Sequence, residues 1–285
     1  MTVYQILNGA TFAALLFVVA SGFTLIFGLM RIINLAHGSL YLLGGYVGFT
    51  VALWTHSFAL AAIAGLLSMA AAGLVIDRGL LRFGRHSDRA QVLLTLGAGL
   101  MINDLALVVW GGDTLTVPVP EFLQGPLFVG GIVYPKYRLF VFVAGVLILI
   151  ALWLLLQRTR LGILIRAGVD DAEMVAAMGI DIRRVFIQTF MLGSALAGLA
   201  GVMGGAFLTL YPTADIEILV YSLAVVIIGG QGSLVGAAVG SVFVGMLATF
   251  GQVWFPELAY FVIFGPMALL LAFRPLGLFG RAATT

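Results

Sequence analysis

The stretch QRTRLGILIRAGVDDAEMVAAMGIDIRR, Gln157 to Arg184, packs five arginines and four acidic residues into 28 positions. On either side the chain runs apolar for many residues at a time. Charge at this density is held in water or against a protein, because each ionised group would cost about 2.5–3.5 kcal/mol at the centre of a membrane. Within it, Asp170 to Met178 places small or apolar residues at Ala172, Val175, Ala176 and Met178 behind two carboxylates. That pattern predicts a short amphipathic helix with acid at the positive end of its dipole. Gly179 supplies its C-terminal stop. A surface helix held between apolar segments is a handle for a partner protein; the alternative is a solvated loop that docks nothing.

Hydrophobic residues make up 62% of the 285, charged residues only 9%, and the mean hydropathy is +1.17. Soluble domains carry about a quarter charged residues, so the chain reads as an all-α polytopic membrane bundle. A span needs about 20 apolar residues to cross about 30 Å. On that measure there are nine segments: Ile6–Phe27, Ile33–Trp54, Phe58–Ile76, Gln91–Trp110, Leu139–Leu156, Val185–Leu210, Ile216–Ile228, Leu234–Phe250 and Phe255–Phe273. The seventh, of 13 residues, is too short to cross alone, which gives eight or nine elements, some of them broken. No soluble domain can be cut from 1–285. Met1 to Gln5 lacks a basic region, so the first span is expected to be retained rather than cleaved.

Arginine placement orients the bundle. Arg31, Arg78, Arg82, Arg85, Arg89, the five of the central island, Arg274 and Arg281 fall in alternate loops, with Lys136 and Arg138 in the other class, twelve against two. The positive-inside rule puts the twelve in the cytoplasm, with the N-terminus outside and the C-terminus inside. Residues 157–184 then face the cytoplasm, and 111–137, with Pro118, Pro120, Pro126 and Pro135, form an external loop.

Two interruptions stand out. Gly229-Gly230-Gln231-Gly232-Ser233 breaks one apolar run, and Asn34-Leu35-Ala36-His37-Gly38-Ser39 breaks another. His37-Gly38-Ser39-Leu40 echoes Gln231-Gly232-Ser233-Leu234, which points to duplicated discontinuous helices, tolerated at membrane depth where they are buried or line a cavity. A tight turn at the membrane edge is the alternative, and the nearness of Arg31 favours it for the first break. Asn34, His37, Ser39, Gln231 and Ser233 are the candidate polar groups of a solute pathway, against capping and backbone satisfaction as their alternative role. Gly193, Ala197, Gly201 and Gly205 recur every fourth residue, as do Gly232, Gly236 and Gly240, a spacing that lets helix backbones approach closely; for the second set a pore lining is the other reading.

Catalytic signals are absent from the sequence. His37, His56 and His86 have no metal-ligand spacing, there is no cysteine, and neither HExxH nor GxSxG occurs. Without a GxxxxGK[ST] loop the chain cannot bind ATP by a P-loop. Asp104, beside Asn103 in the fourth span, must face protein or water, as a helix–helix hydrogen bond, as a group near the outer interface or, in a stand-alone secondary transporter or facilitator, as a proton, substrate or ion-coupling site.

The stretch GFTLIFGLMRIINLAHG (Gly22–Gly38) resembles the opening motif of the branched-chain amino acid ABC permease family. Arg166-Ala167 through Ala176-Ala177-Met178-Gly179-Ile180-Asp181 is similar to its cytoplasmic coupling segment, and Ala195–Gly201 and Ile228–Ser233 match further on, so the resemblance runs along nearly the whole chain. Ser39 departs from the acidic residue the family often carries after His-Gly, and the coupling segment lacks the Leu-Pro ending of the wider ABC importer motif. The resemblance implies a non-catalytic transmembrane subunit of an importer in a bacterial or archaeal cytoplasmic membrane. Its partners would be a second permease, identical or homologous, two ATPases that hold the ATP and Mg, and an external solute-binding protein. It implies no cofactor in this chain and no nucleic acid. Asp170, Asp171, Glu173, Met174, Ala177, Met178 and Gly179 would couple to the ATPase, and the solute would be a branched-chain or other amino acid, urea, an amide or a small organic or aromatic acid.

Overall fold

The computed structural model describes residues 2–30, 33–84, 87–129, 132–274 and 277–280; Arg31, Arg85, His86 and Arg281 lie outside them. The described residues form ten helices: α1 Thr2–Met30, α2 His37–Thr55, α3 Phe58–Val75, α4 Asp88–Trp110, α5 Lys136–Arg158, α6 Arg160–Ala177, α7 Ile182–Phe207, α8 Ala214–Gly229, α9 Leu234–Trp254 and α10 Ala259–Phe273. A π turn at Ile76–Leu80 and a 3-10 turn at Leu81–Phe83 prolong α3.

Six of these helices are long and apolar enough to cross a membrane: α1, α3 with its extension, α4, α5, α7 and α9. They divide by burial. The apolar window of α1 is 83% buried and that of α7 72%, against 22% for α4 and α5, so α1 and α7 are the axis and α4 and α5 the perimeter. An axis helix that is apolar all round has no lipid-facing stripe to select. It must be admitted by small residues instead. A Cβ on Gly22 of α1 would come within 2.5 Å of the Gly193 carbonyl oxygen, and one on Gly201 within 1.9 Å of the Tyr41 oxygen of α2. The α7 stripe meets different neighbours in turn: Gly193 faces Ile26 of α1, Gly201 faces Tyr41 and Gly45 of α2, and Gly205 faces Val117 and Leu210, with Ala197 fully buried between them. On the other set, Gly236 lies against the Gly229 carbonyl and Gly240 against that of Val225, joining α9 to α8. Gly232 is not on that helical face. It sits in the preceding turn with φ +73° and packs on Gly28 of α1.

The arginine-rich segments gather at one end of the bundle, called the basic end below. There the end of α1, the extension of α3 and the starts of α4 and α7 line one shallow cavity through Met30, Leu81, Gln91 and Ile182. The opposite end holds residues 111–129 and 132–135, which are more ordered than a plain loop. Pro126–Val129 (β1) and Ile132–Pro135 (β2) pair antiparallel, and Leu115 exchanges backbone hydrogen bonds of 2.8 and 2.7 Å with Leu210.

The apolar run Ile33–Trp54 is not one helix. Ile33–Ala36 are non-helical and α2 starts at His37, whose Nε2 lies 3.0 Å from the Val19 carbonyl and whose ring meets Phe23 edge-on at 5.3 Å. Val19 is eleven residues before the end of α1, about 16 Å along the helix. The break near Arg31 is therefore deep in the bundle, and the turn expected there from the nearby charge is at the other break: Gly230–Ser233 lies at the basic end beside Gly28. Asn34 and Ala36 are already buried before α2 begins, which no local pattern announces.

Candidate functional site

Unwinding residues 33–36 inside a bundle leaves backbone groups to satisfy. Thr95 of α4 takes two of them: its Oγ1 accepts from the Leu35 N–H at 3.2 Å and lies 3.3 Å from the Ile33 carbonyl. Asn34 Oδ1 accepts from Ala36 N at 3.2 Å. One turn later the start of α2 meets the start of α8. A Cβ on Gly38 would come within 2.0 Å of the Asp215 carbonyl, so only glycine admits the contact. Ser39 Oγ donates to Asp215 Oδ2 at 3.0 Å. The departure at Ser39 is thus met by an acid from another helix. Asp215 escaped the sequence reading because it precedes the seventh apolar run by a single residue and looks like a loop charge.

Asn34, His37, Ser39 and Asp215 are all buried, yet three of their polar atoms, Asn34 Nδ2, His37 Nδ1 and Asp215 Oδ1, have no hydrogen-bond partner among the described residues. Because His37 Nε2 faces a carbonyl, it carries the proton and Nδ1 is left an acceptor. A buried unpartnered polar group costs about 1–3 kcal/mol, and three such atoms belong to residues at this helix discontinuity and the α8 start that meets it. Ser39→Ala is expected to lower stability by about 1–3 kcal/mol, read as a lower melting midpoint in detergent; an unchanged midpoint would show that the hydroxyl holds nothing.

Gln231 and Ser233 do not join this cluster. Gln231 is exposed and Ser233 Oγ caps α9 by accepting from Gly236 N at 3.0 Å, about 14 Å along α1 from the His37 contact. Asp104 stands elsewhere again, exposed on the outer face of α4 among Met101, Leu105 and Val108.

Away from the basic end, the junction opens onto a cavity of about 310 Å³. Tyr41 of α2, Ala214 and Glu217 of α8 and Arg138 of α5 are in its wall, which places the starts of α2 and α8 beside one chamber. Arg138 was counted as a loop charge from the sequence; it is in the first turn of α5.

At the basic end, α6 extends further than the expected Asp170–Met178. Thr159 Oγ1 caps its start by accepting from Gly162 N at 3.1 Å, and the helix is interrupted at Asp171, φ −155° and ψ 98°. The Asp171 carboxylate accepts from Met174 N at 2.8 Å and so caps a second piece. Gly179, φ +81°, ends it, donating to the Ala176 carbonyl at 3.0 Å. The first piece is seated: Gly162 on Leu155 and Leu156, Gly168 on Leu29, with Val169 beside Gly232. The second projects. Of residues 171–179 only Val175 is buried, and Asp171, Glu173, Met174, Ala177, Met178 and Gly179 are exposed, as is Asp170.

Residues 5–271 match the family described as branched-chain amino acid transport system, permease component. The chain is 27% identical, over 97% of its length and 95% of the relative's, to the high-affinity branched-chain amino acid transport system permease protein BraD of Pseudomonas aeruginosa. It is 26% identical over the same shares to the corresponding protein LivH of Escherichia coli K12. The xylose/arabinose import permease protein XylH of Sulfolobus acidocaldarius is 31% identical over 64% of this chain and 51% of its own. No solved structure matches. A match along nearly the whole length, with six helices able to cross a membrane among the described residues, settles the assignment: the chain belongs to the branched-chain amino acid transport system permease family and is a multi-pass protein of the cytoplasmic membrane.

Proposed function

We propose that the chain is the transmembrane subunit of an ATP-driven importer of small polar solutes, branched-chain or other amino acids first among them, and that its α6 is the element gripped by the ATPase. The observation that carries this is the two-piece α6, whose second half stands exposed with Met174 and Met178 outward while its first half is wedged against the end of α1 and the turn between α8 and α9. A push on Ala172–Met178 is delivered directly to Leu29 through Gly168 and to Gly232 through Val169. Along the rigid α1 it reaches the level of Val19 and His37, where α2 and α8 begin, and rocking of those helices would switch access. A cytoplasmic position for α6 is supported by the positive-inside rule applied to the twelve basic residues. The working assembly contains a second permease copy or homologue, two ATPases that bind ATP and Mg, and an external solute-binding protein; this chain itself carries out no hydrolysis.

Gentle purification from the native membrane with mass spectrometry of what comes along tests this. A co-purifying P-loop ATPase is the expected result; the chain alone, with solute uptake in vesicles lacking ATP, would overturn it. Asp104→Asn separates the same alternatives: with Asp104 on the outer face of α4, uptake is expected to stay within about twofold of wild type, whereas ion coupling through that carboxylate would lose it.

A further inference from the structure

The chamber above the α2–α8 junction holds two opposite charges that are positioned but not joined. Arg138 Nη1 donates to Asn8 Oδ1, and its guanidinium lies 5.2 Å from the centre of the Phe207 ring. Glu217 Oε2 accepts from the Tyr211 hydroxyl at 2.6 Å. Each charge is thus fixed by neutral or aromatic neighbours, and among the described residues no ion pair links them. Two opposite charges facing one cavity, each steadied by a neutral neighbour rather than by the other, are an arrangement whose missing complement is a molecule bearing both signs. The rest of the wall is mixed: Phe12, Ile218, Tyr221 and Val253 give it apolar and aromatic surface, and Asn8, Thr209, Thr249 and Gln252 give it uncharged polar groups. A cavity of about 310 Å³ is at the small end of the range for small-molecule sites.

We infer that this chamber is a binding site, in the permease itself, for a zwitterionic α-amino acid with an apolar side chain: Arg138 takes the carboxylate, Glu217 takes the ammonium, and the apolar part of the wall, Phe12, Ile218 and Val253, takes the side chain. The inference rests on the importer reading only for its choice of solute. A guanidinium suits a carboxylate because its fork offers two parallel donors, and a carboxylate suits an ammonium as a point charge. A neutral sugar needs neither group. Ala214, which adjoins Asp215 in the chain, is in the same wall.

The test is direct binding of L-leucine to the full-length chain in nanodiscs, without ATP, alone or with whatever chains co-purify. Three comparators dissect it: 4-methylpentanoate, which lacks the ammonium, isopentylamine, which lacks the carboxylate, and L-arabinose. L-leucine should bind saturably and both half-ligands at least about tenfold more weakly, since a site built for a polar group rejects the analogue lacking it. R138Q should weaken L-leucine and 4-methylpentanoate by about tenfold or more and spare isopentylamine, and E217Q should do the reverse. That crossed pattern cannot come from a collapsed cavity, which would lose every ligand together. D104N, on the outer face of α4, is expected to bind as wild type. The inference is overturned if L-leucine does not bind, if both variants bind it unchanged, or if L-arabinose displaces it equally well. An importer reading that fails, with no ATPase co-purifying, would leave the crossed pattern standing, because no part of it needs ATP.

Discussion

Replacing Met174 and Met178 together by Asp is expected to abolish ATP-driven uptake while leaving the fold intact. Both side chains are exposed, 59% and 73%, so no core contact is lost and the melting midpoint should not move. The partner would lose two apolar anchors and meet two new charges. Anchors of this kind are worth about 2 kcal/mol or more each, which corresponds to about thirtyfold or more in affinity, enough to uncouple the ATPase at ordinary concentrations. Uptake in vesicles with ATP inside is the measurement, and unchanged uptake would end the docking interpretation of α6. The double change Gly179→Pro with Asp170→Arg attacks the same helix through its ends. Proline cannot adopt the +81° φ of Gly179 and removes the N–H that bonds Ala176, so this variant too should lose uptake.

Gly201→Val should be the most damaging single change in the axis of the bundle. Its Cβ alone would approach the Tyr41 oxygen to 1.9 Å and the Gly45 nitrogen to 2.8 Å. Both are backbone atoms, so no rotamer can relieve the clash and α2 must move off α7. Overpacking costs about 1–3 kcal/mol where side chains can adjust; with backbone on the other side the loss should exceed about 3 kcal/mol, read as aggregated protein on detergent extraction. Gly97→Ala in α4 is the matched control, since a Cβ there meets nothing within 4 Å and replacing helical glycine gains up to about 1 kcal/mol. Equal folded yields from the two would refute the packing argument.

How much of this was written in the sequence differs from element to element. The spans were legible wherever a long apolar run had charged or capped ends: Phe58–Ile76 was read against Phe58–Val75 observed, Gln91–Trp110 against Asp88–Trp110, and Leu234–Phe250 against Leu234–Trp254. The second half of α6 was legible because carboxylates, an apolar face and Gly179 lie in order along nine residues. Its first half was not, since the apolar run Ile163–Ile165 is flanked by Arg160, Gly162 and Arg166, and its seat depends on Gly162 meeting Leu155 and Leu156 and Gly168 meeting Leu29.

What the sequence by itself determined is what hydration decides: a chain 62% hydrophobic must be in a membrane, its arginines must stay out of the hydrocarbon, and its one dense charge island must form a surface. Only the tertiary structure decided which polar groups meet. In helices apolar on every face the 3.6-residue period carries no information about which side is inward, so nothing local tells Asp215 and Glu217, two residues apart, that one joins Ser39 and the other lines a chamber with Arg138. Nor can a run of residues announce that α2 starts with His37 against Val19. Those placements follow from which backbones can approach, and that is set by glycines on α1, α2 and α7 meeting across the bundle.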